Sequence, residues 1–296
     1  NAQSVLDTYI PTTRSLQTLE RIATTFTKEE IPRAWALVGP YGSGKSAFGV
    51  FCAHLLSTAG SPTNKAAVKK LRTADRDLAT KFKKHLGKEG SYCQVLVTGG
   101  PEPFGTAILR RLAIAAEEYW QTKRGKKPTV VRKLHKAVQE KNVTPNNILA
   151  LVEELQNAVA ASGGRGLLIG IDELGKFLEY EARHYGQNEI FLLQMLAEHS
   201  QSKNKAQLHL IVFLHQSFEQ YAKGLGEALR NEWSKIQGRF ETIPFLESTE
   251  QTLHIVSAAF QTDLDKSAAA QVRQRTETKV KVLNQAGLLP QRLAYP

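Results

Sequence analysis

The chain has 296 residues, is 42% hydrophobic and 23% charged, and carries 39 Lys and Arg against 28 Asp and Glu, a net charge of +11. It is too apolar for a disordered chain, and its longest apolar runs, such as 167–171 and 210–214, fall well short of the roughly 20 residues that cross a bilayer. Cys52 and Cys93 stand alone with no Cys or His at ligand spacing, which excludes a disulfide framework or zinc site and points to a reducing, cytoplasmic setting.

The chain starts at Asn1 without Met or a signal peptide and stops at Leu-Ala-Tyr-Pro, as expected of a piece of a longer polypeptide. Residues 15–26 bring Leu16, Leu19, Ile22, Ala23 and Phe26 to helical spacing, behind Pro11 and Thr12 or Thr13 as a start signal. The apolar run 34–38 predicts a buried strand that enters glycines, and 45–57 a helix.

Between them, Gly39-Pro40-Tyr41-Gly42-Ser43-Gly44-Lys45-Ser46 fits G-x4-G-K-S in full. The glycines let the backbone curl so that successive N–H groups face a phosphate chain at a helix N-terminus. Lys45 then reaches the β and γ phosphates and Ser46 offers an oxygen to Mg²⁺, so residues 39–46, with Ala47 behind them, form the expected ATP site.

The stretch to His85 is helical in pattern, with Val68, Leu71, Leu78 and Phe82 on one side. A strand at 93–97, the turn Gly99-Gly100-Pro101 and helices near 104–120, 130–140 and 145–161 follow. The positive charge gathers here: 65–88 holds nine basic residues against two acidic, and 123–141 eight against one. Together these segments carry +14, which leaves −3 for the rest of the chain. They fit either a nucleic-acid footprint or a solvated or docking face; Phe82 is the only Phe, Tyr or Trp within them, so base stacking is not indicated.

The apolar strand 166–171 runs into Asp172-Glu173. Asp172 is placed to hold the Mg²⁺ shell through water and Glu173 to polarise the attacking water, which favours hydrolysis over phosphotransfer. After a helix near 190–202 and a strand at 208–214 come His215 and Gln216, either of which could orient water or contact the γ-phosphate. Arg239 precedes a last strand at 241–245, at what the sequence suggests is the rim of the same sheet edge, suited to a neighbouring subunit's γ-phosphate. Helices near 249–260 and 268–286 close the chain.

Short apolar strands alternating with helices predict an α/β P-loop fold, a parallel sheet of about five strands with helices on both faces. The order of motifs, from 39–46 through 167–173, His215 and Gln216 to 238–245, resembles the AAA+ ATPases, above all the origin-recognition and Cdc6-like branch and the related STAND ATPases. The run 171–178 also looks like large ATPases of antiphage defence systems. The resemblance implies an oligomeric ATPase, a homo-oligomer completed by Arg239 in trans, with an effector protein or further C-terminal domains as partners.

The expected layout is a helical lead-in at 1–33, a core at 34–247 with basic insertions near 61–90 and 121–162, and a truncated helical lid at 248–296. The 127 residues between Lys45 and Asp172 exceed what a compact module needs. Arg273, Arg275 and Arg292 are the lid arginines available to the nucleotide, none marked by a motif. Two further functions stay open: an ATP-gated assembly switch with little turnover, and a loader or remodeller of DNA or RNA.

Overall fold

The three central strands of the computed structural model, 34–38, 166–172 and 207–214, lie between helices, which is why they read in sequence as short, nearly unbroken apolar runs. The structure describes residues 2–28, 30–121, 123, 125–140, 143–184, 189–203, 206–222, 227–259 and 265–287. Arg124 and Lys141 of the second basic segment, Phe260 at the end of the helix expected near 249–260, and Arg292 lie outside them.

The strands are β1 (Ala34–Val38), β2 (Tyr92–Thr98), β3 (Gly166–Asp172), β4 (Gln207–Leu214) and β5 (Glu241–Pro244). They form one sheet in the order β2-β3-β4-β1-β5, every pair parallel. The expected five-stranded α/β architecture is therefore present. Because β4 separates β1 from β3, the carboxyl ends of the two strands that carry the phosphate loop and the acidic pair flank that of β4.

Alternate residues of each strand enter opposite cores. Trp35, Leu37, Leu168, Ile211, Phe213 and Ile243 face one side, with α1 (Ala2–Thr8), α2 (Thr13–Thr24), α3 (Lys45–Leu55), α4 (Pro62–Ala74) and α5 (Arg76–Leu86). Ala36, Val95, Ile169, Leu210 and Val212 face the other. That side holds α6 (Phe104–Gln121), α7 (Thr129–Gln139), α8 (Pro145–Ala161), α9 (Leu174–Arg183), α10 (Glu189–His199), α11 (Phe218–Ala222) and α12 (Glu227–Gln237).

The basic run after α3 is not one helix. Asp75 ends α4 and its carboxylate accepts the Leu78 backbone N–H at 2.8 Å, capping α5. Such a cap contributes about 1 kcal/mol. Thr12, Ser61 and Thr144 cap α2, α4 and α8 in the same way.

The chain divides into two compact units, Asn1–Leu246 and Glu247–Pro296. In the second, the described residues form α13 (Thr249–Ala259) and α14 (Lys266–Gln285), with Val272, Val282 and Leu283 exposed on α14. Arg273 pairs with Glu277 one turn along that helix. No helix among the described residues is long and apolar enough to cross a membrane, and Cys52 and Cys93 are free thiols buried in the two cores.

Candidate functional site

The phosphate loop leaves β1 pinned on both sides. The Gly39 N–H donates to the Leu214 carbonyl at 3.0 Å, and the Phe245 N–H donates to the Val38 carbonyl at 2.6 Å. A Cβ on Gly39 would stand 2.2 Å from the Phe245 carbonyl oxygen, so only glycine fits between the strands. Gly42 and Gly44 take φ of 77° and 85°, the left-handed turns that bring the chain round to α3. Gly44 is the N-cap of α3 and offers no side-chain cap, which leaves the positive end of the helix facing the loop.

Lys45 curls back over this loop. Its Nζ donates to the Gly39 carbonyl at 2.5 Å, the Pro40 carbonyl at 2.8 Å and Ser43 Oγ at 3.2 Å. Burial lowers its pKa, and the Asp172 carboxylate opposes that shift, so charge on β3 is felt at the loop. Ser46 is exposed and its hydroxyl has no hydrogen bond to another described residue, while Ala47 packs toward the core of its face.

The acidic pair arrives at the same edge. Asp172 ends β3 opposite Thr98, its carbonyl accepts the Gly99 N–H at 2.8 Å, and its carboxylate accepts the Glu173 N–H at 2.9 Å. Glu173 has φ 51° and ψ 41°, the only positive φ at a residue other than glycine among the described residues. Conformations of this kind cost of order 1–3 kcal/mol and persist where the surroundings enforce them. Gly99 is one enforcing neighbour: a Cβ there would lie 2.0 Å from the Glu173 carbonyl oxygen. The Glu173 carboxylate pairs with Lys176 Nζ at 2.5 Å, which raises the pKa of that ammonium.

At the end of β4, between these two motifs, stands His215. Tyr41, 72% exposed at the tip of the loop, stacks on its ring at a centroid distance of 4.8 Å. The Tyr221 hydroxyl lies 2.7 Å from Nδ1, and its ring packs over Gly175 in the first turn of α9. Burial pushes the Tyr221 phenol up, so it stays protonated and able to donate. Gln216 is half-buried and makes no side-chain hydrogen bond with another described residue. The edge thus joins residues 39–47, Asp172, Glu173, His215 and Gln216, and adds Tyr221, Lys176 and Thr98.

Arg239 is elsewhere, which corrects its expected position on the same rim. Glu241 is in register with Trp35, near the start of β1, whereas Pro244 is in register with Val38 at its end. In a parallel sheet a residue preceding a strand lies at the opposite end from residues that follow one. Arg239 Nε bonds Glu198 Oε1 at 2.9 Å.

In chemical terms the edge offers backbone N–H groups, the ammonium groups of Lys45 and Lys176, the unbonded hydroxyl of Ser46 and two carboxylates. Ser46 and Asp172 are oxygen donors of the kind hard divalent cations take. No group of three or more His, Cys, Asp or Glu side chains suited to holding a metal by themselves occurs among the described residues.

No protein-family model and no curated protein matches the chain. Among solved structures it is similar to the Aeropyrum pernix ORC2 protein in ADPNP–ADP complexes, with a TM-score of 0.45 and 14% identity. The likeness covers 84% of this chain and 53% of that one, so the chain spans about half the length of that protein.

Proposed function

We propose that the chain is the ATP-binding and ATP-hydrolysing module of an AAA+-like ATPase. The proposal rests on the meeting of the phosphate loop and the acidic pair at one sheet edge, with the polar end of β4 between them. Residues 39–46 and the start of α3 bind the phosphates through backbone N–H groups, and Lys45 exchanges its loop carbonyls for phosphate oxygens. Ser46 and Asp172 hold Mg²⁺, which neutralises charge on the phosphates when bound. Glu173 accepts a proton from the attacking water, and His215 or Gln216 orients that water or the γ-phosphate.

Arg239 lies too far along the strands from its own loop to serve it, so its role is in trans, in a homo-oligomer, after leaving Glu198. ATP binding and steady-state turnover, measured beside particle mass by light scattering, test these roles. Lys45→Ala loses binding. Glu173→Gln keeps binding and turns over at least about a hundredfold more slowly, as loss of a general base does. Arg239→Ala binds ATP and loses turnover. Normal turnover in Glu173→Gln would remove that residue from the mechanism.

The second reading is an ATP-gated assembly switch. It is favoured by the pairing of Glu173 with Lys176, which ties up the carboxylate that must accept the proton. A switch has low wild-type turnover and an ATP-dependent gain in mass. Lys176→Gln then raises turnover by about fivefold at most, the scale of an exposed ion pair.

A further inference from the structure

A cavity of about 780 Å³ lies at the end of the sheet opposite the phosphate loop. Ser91, just before β2, and Ser162, shortly before β3, line it, and strands that run parallel begin at the same end. Its volume falls within the roughly 300–1,000 Å³ of small-ligand sites.

The cavity lies between the start of the second basic segment and residues that flank the first, and its basic residues, Lys123 and Lys126, both come from the second. Ser61 and Glu89 flank the first segment, while Trp120, Lys123 and Lys126 come from the end of α6 and the start of the second. Lys123 is held in place, its Nζ 4.3 Å from the centre of the Tyr119 ring and 3.3 Å from the Ser162 carbonyl oxygen. Lys126 is exposed and has no hydrogen bond or ion pair with another described residue.

Some lysines of these segments are neutralised by carboxylates among the described residues and others, Lys65, Lys69, Lys83 and Lys84 included, are not. Lys81, Lys127, Lys133 and Lys136, outside the cavity, pair with Glu20, Glu117, Glu154 and Glu140. Neither cavity lysine has a carboxylate partner among the described residues, although Glu89 is in the same lining.

We propose that this cavity is a second anion site, one that takes a phosphate ester independently of the phosphate loop. Lys123 and Lys126 neutralise the phosphate, the hydroxyl of Ser61 donates to its oxygens, and Trp120 gives an apolar wall to the rest of the ligand. The ester belongs either to a free phosphorylated small molecule or to the backbone of a nucleic-acid strand.

The test uses the whole chain carrying Lys45→Ala, which removes the loop ammonium, with radiolabelled pyrophosphate and a short fluorescein-labelled single strand as probes. Pyrophosphate is expected to bind, and its affinity to fall about tenfold in Lys126→Gln and again in Lys123→Gln, as for loss of a charged hydrogen-bond partner. A strand that binds, is displaced by pyrophosphate and weakens with the same substitutions makes nucleic acid the source; a strand that fails to bind while pyrophosphate does makes it a free ester. Lys126 is exposed, so Lys126→Gln leaves the fold intact, and unchanged binding in that variant overturns the proposal. So does failure of both probes to bind. Turnover in Glu173→Gln reports on the nucleotide edge alone, so failure there is distinguishable from failure here.

Discussion

Two left-handed turns lie on the same edge of the sheet, and the chain builds them from different residues. The phosphate loop uses Gly42 and Gly44, whereas the turn after β3 uses Glu173. Glycine enters this conformation freely; another L-residue pays roughly 1–2 kcal/mol. On the proposed function the backbone is the working part of the loop, because its N–H groups would face the phosphates and a side chain would only obstruct. After β3 the side chain is the working part, and glycine, though cheaper, would delete the carboxylate. On that reading, strain at Glu173 is what a working carboxylate costs there, and the glycines of the loop do not carry it.

If the two turns divide the work in this way, crowding each should give a different defect. Gly99→Ala drives a Cβ toward the Glu173 carbonyl, 2.0 Å away, and must displace that peptide. Turnover is expected to fall about a hundredfold, the scale of a catalytic group moved by an ångström, with ATP affinity nearly unchanged in equilibrium titration. Gly39→Ala drives its Cβ toward the Phe245 carbonyl, 2.2 Å away, and distorts the loop itself. There the loss appears first as weaker ATP binding. Equal loss of affinity in both variants would end the division.

Gly44→Ala is a gentler probe, because no atom lies within 4 Å of the added methyl group. What remains is the backbone cost, so denaturant unfolding should show a loss of about 1–2 kcal/mol. A smaller loss would mean that the loop relaxes out of its left-handed turn without ligand.

The loop and the acidic strand end are legible in the sequence because their requirements are local: glycines at fixed spacing, and a carboxylate pair where an apolar run stops. The three central strands are legible for a related reason, since burial on both faces leaves β1, β3 and β4 with almost no polar alternation to confuse them. Tyr221 and His215 are different. Tyr221 reaches Gly175 across 46 positions of sequence, and no periodicity encodes a contact of that kind. Asp75 looks like one more polar residue in a basic helical run, yet its carboxylate ends one helix and starts another. The place of Arg239 depends on the direction of β5, which its neighbours in sequence do not reveal and the register with β1 does.

Glu173→Gly gives the smallest effect and bears most directly on the contrast. Replacing a residue at φ 51° by glycine removes the left-handed penalty, and Glu173 precedes α9 as its N-cap, so no helix interior is weakened. Against this stand the greater entropy of glycine in the unfolded chain and the loss of the exposed pair with Lys176, each worth at most about 1 kcal/mol. The net expectation in denaturant unfolding is a gain of up to about 1 kcal/mol, together with loss of turnover. Most glycine substitutions lower stability, so a gain here would identify Glu173 as a residue held in a strained turn for its carboxylate. A loss above about 1 kcal/mol would show instead that Glu173 stabilises the fold, and the two turns would no longer differ in kind.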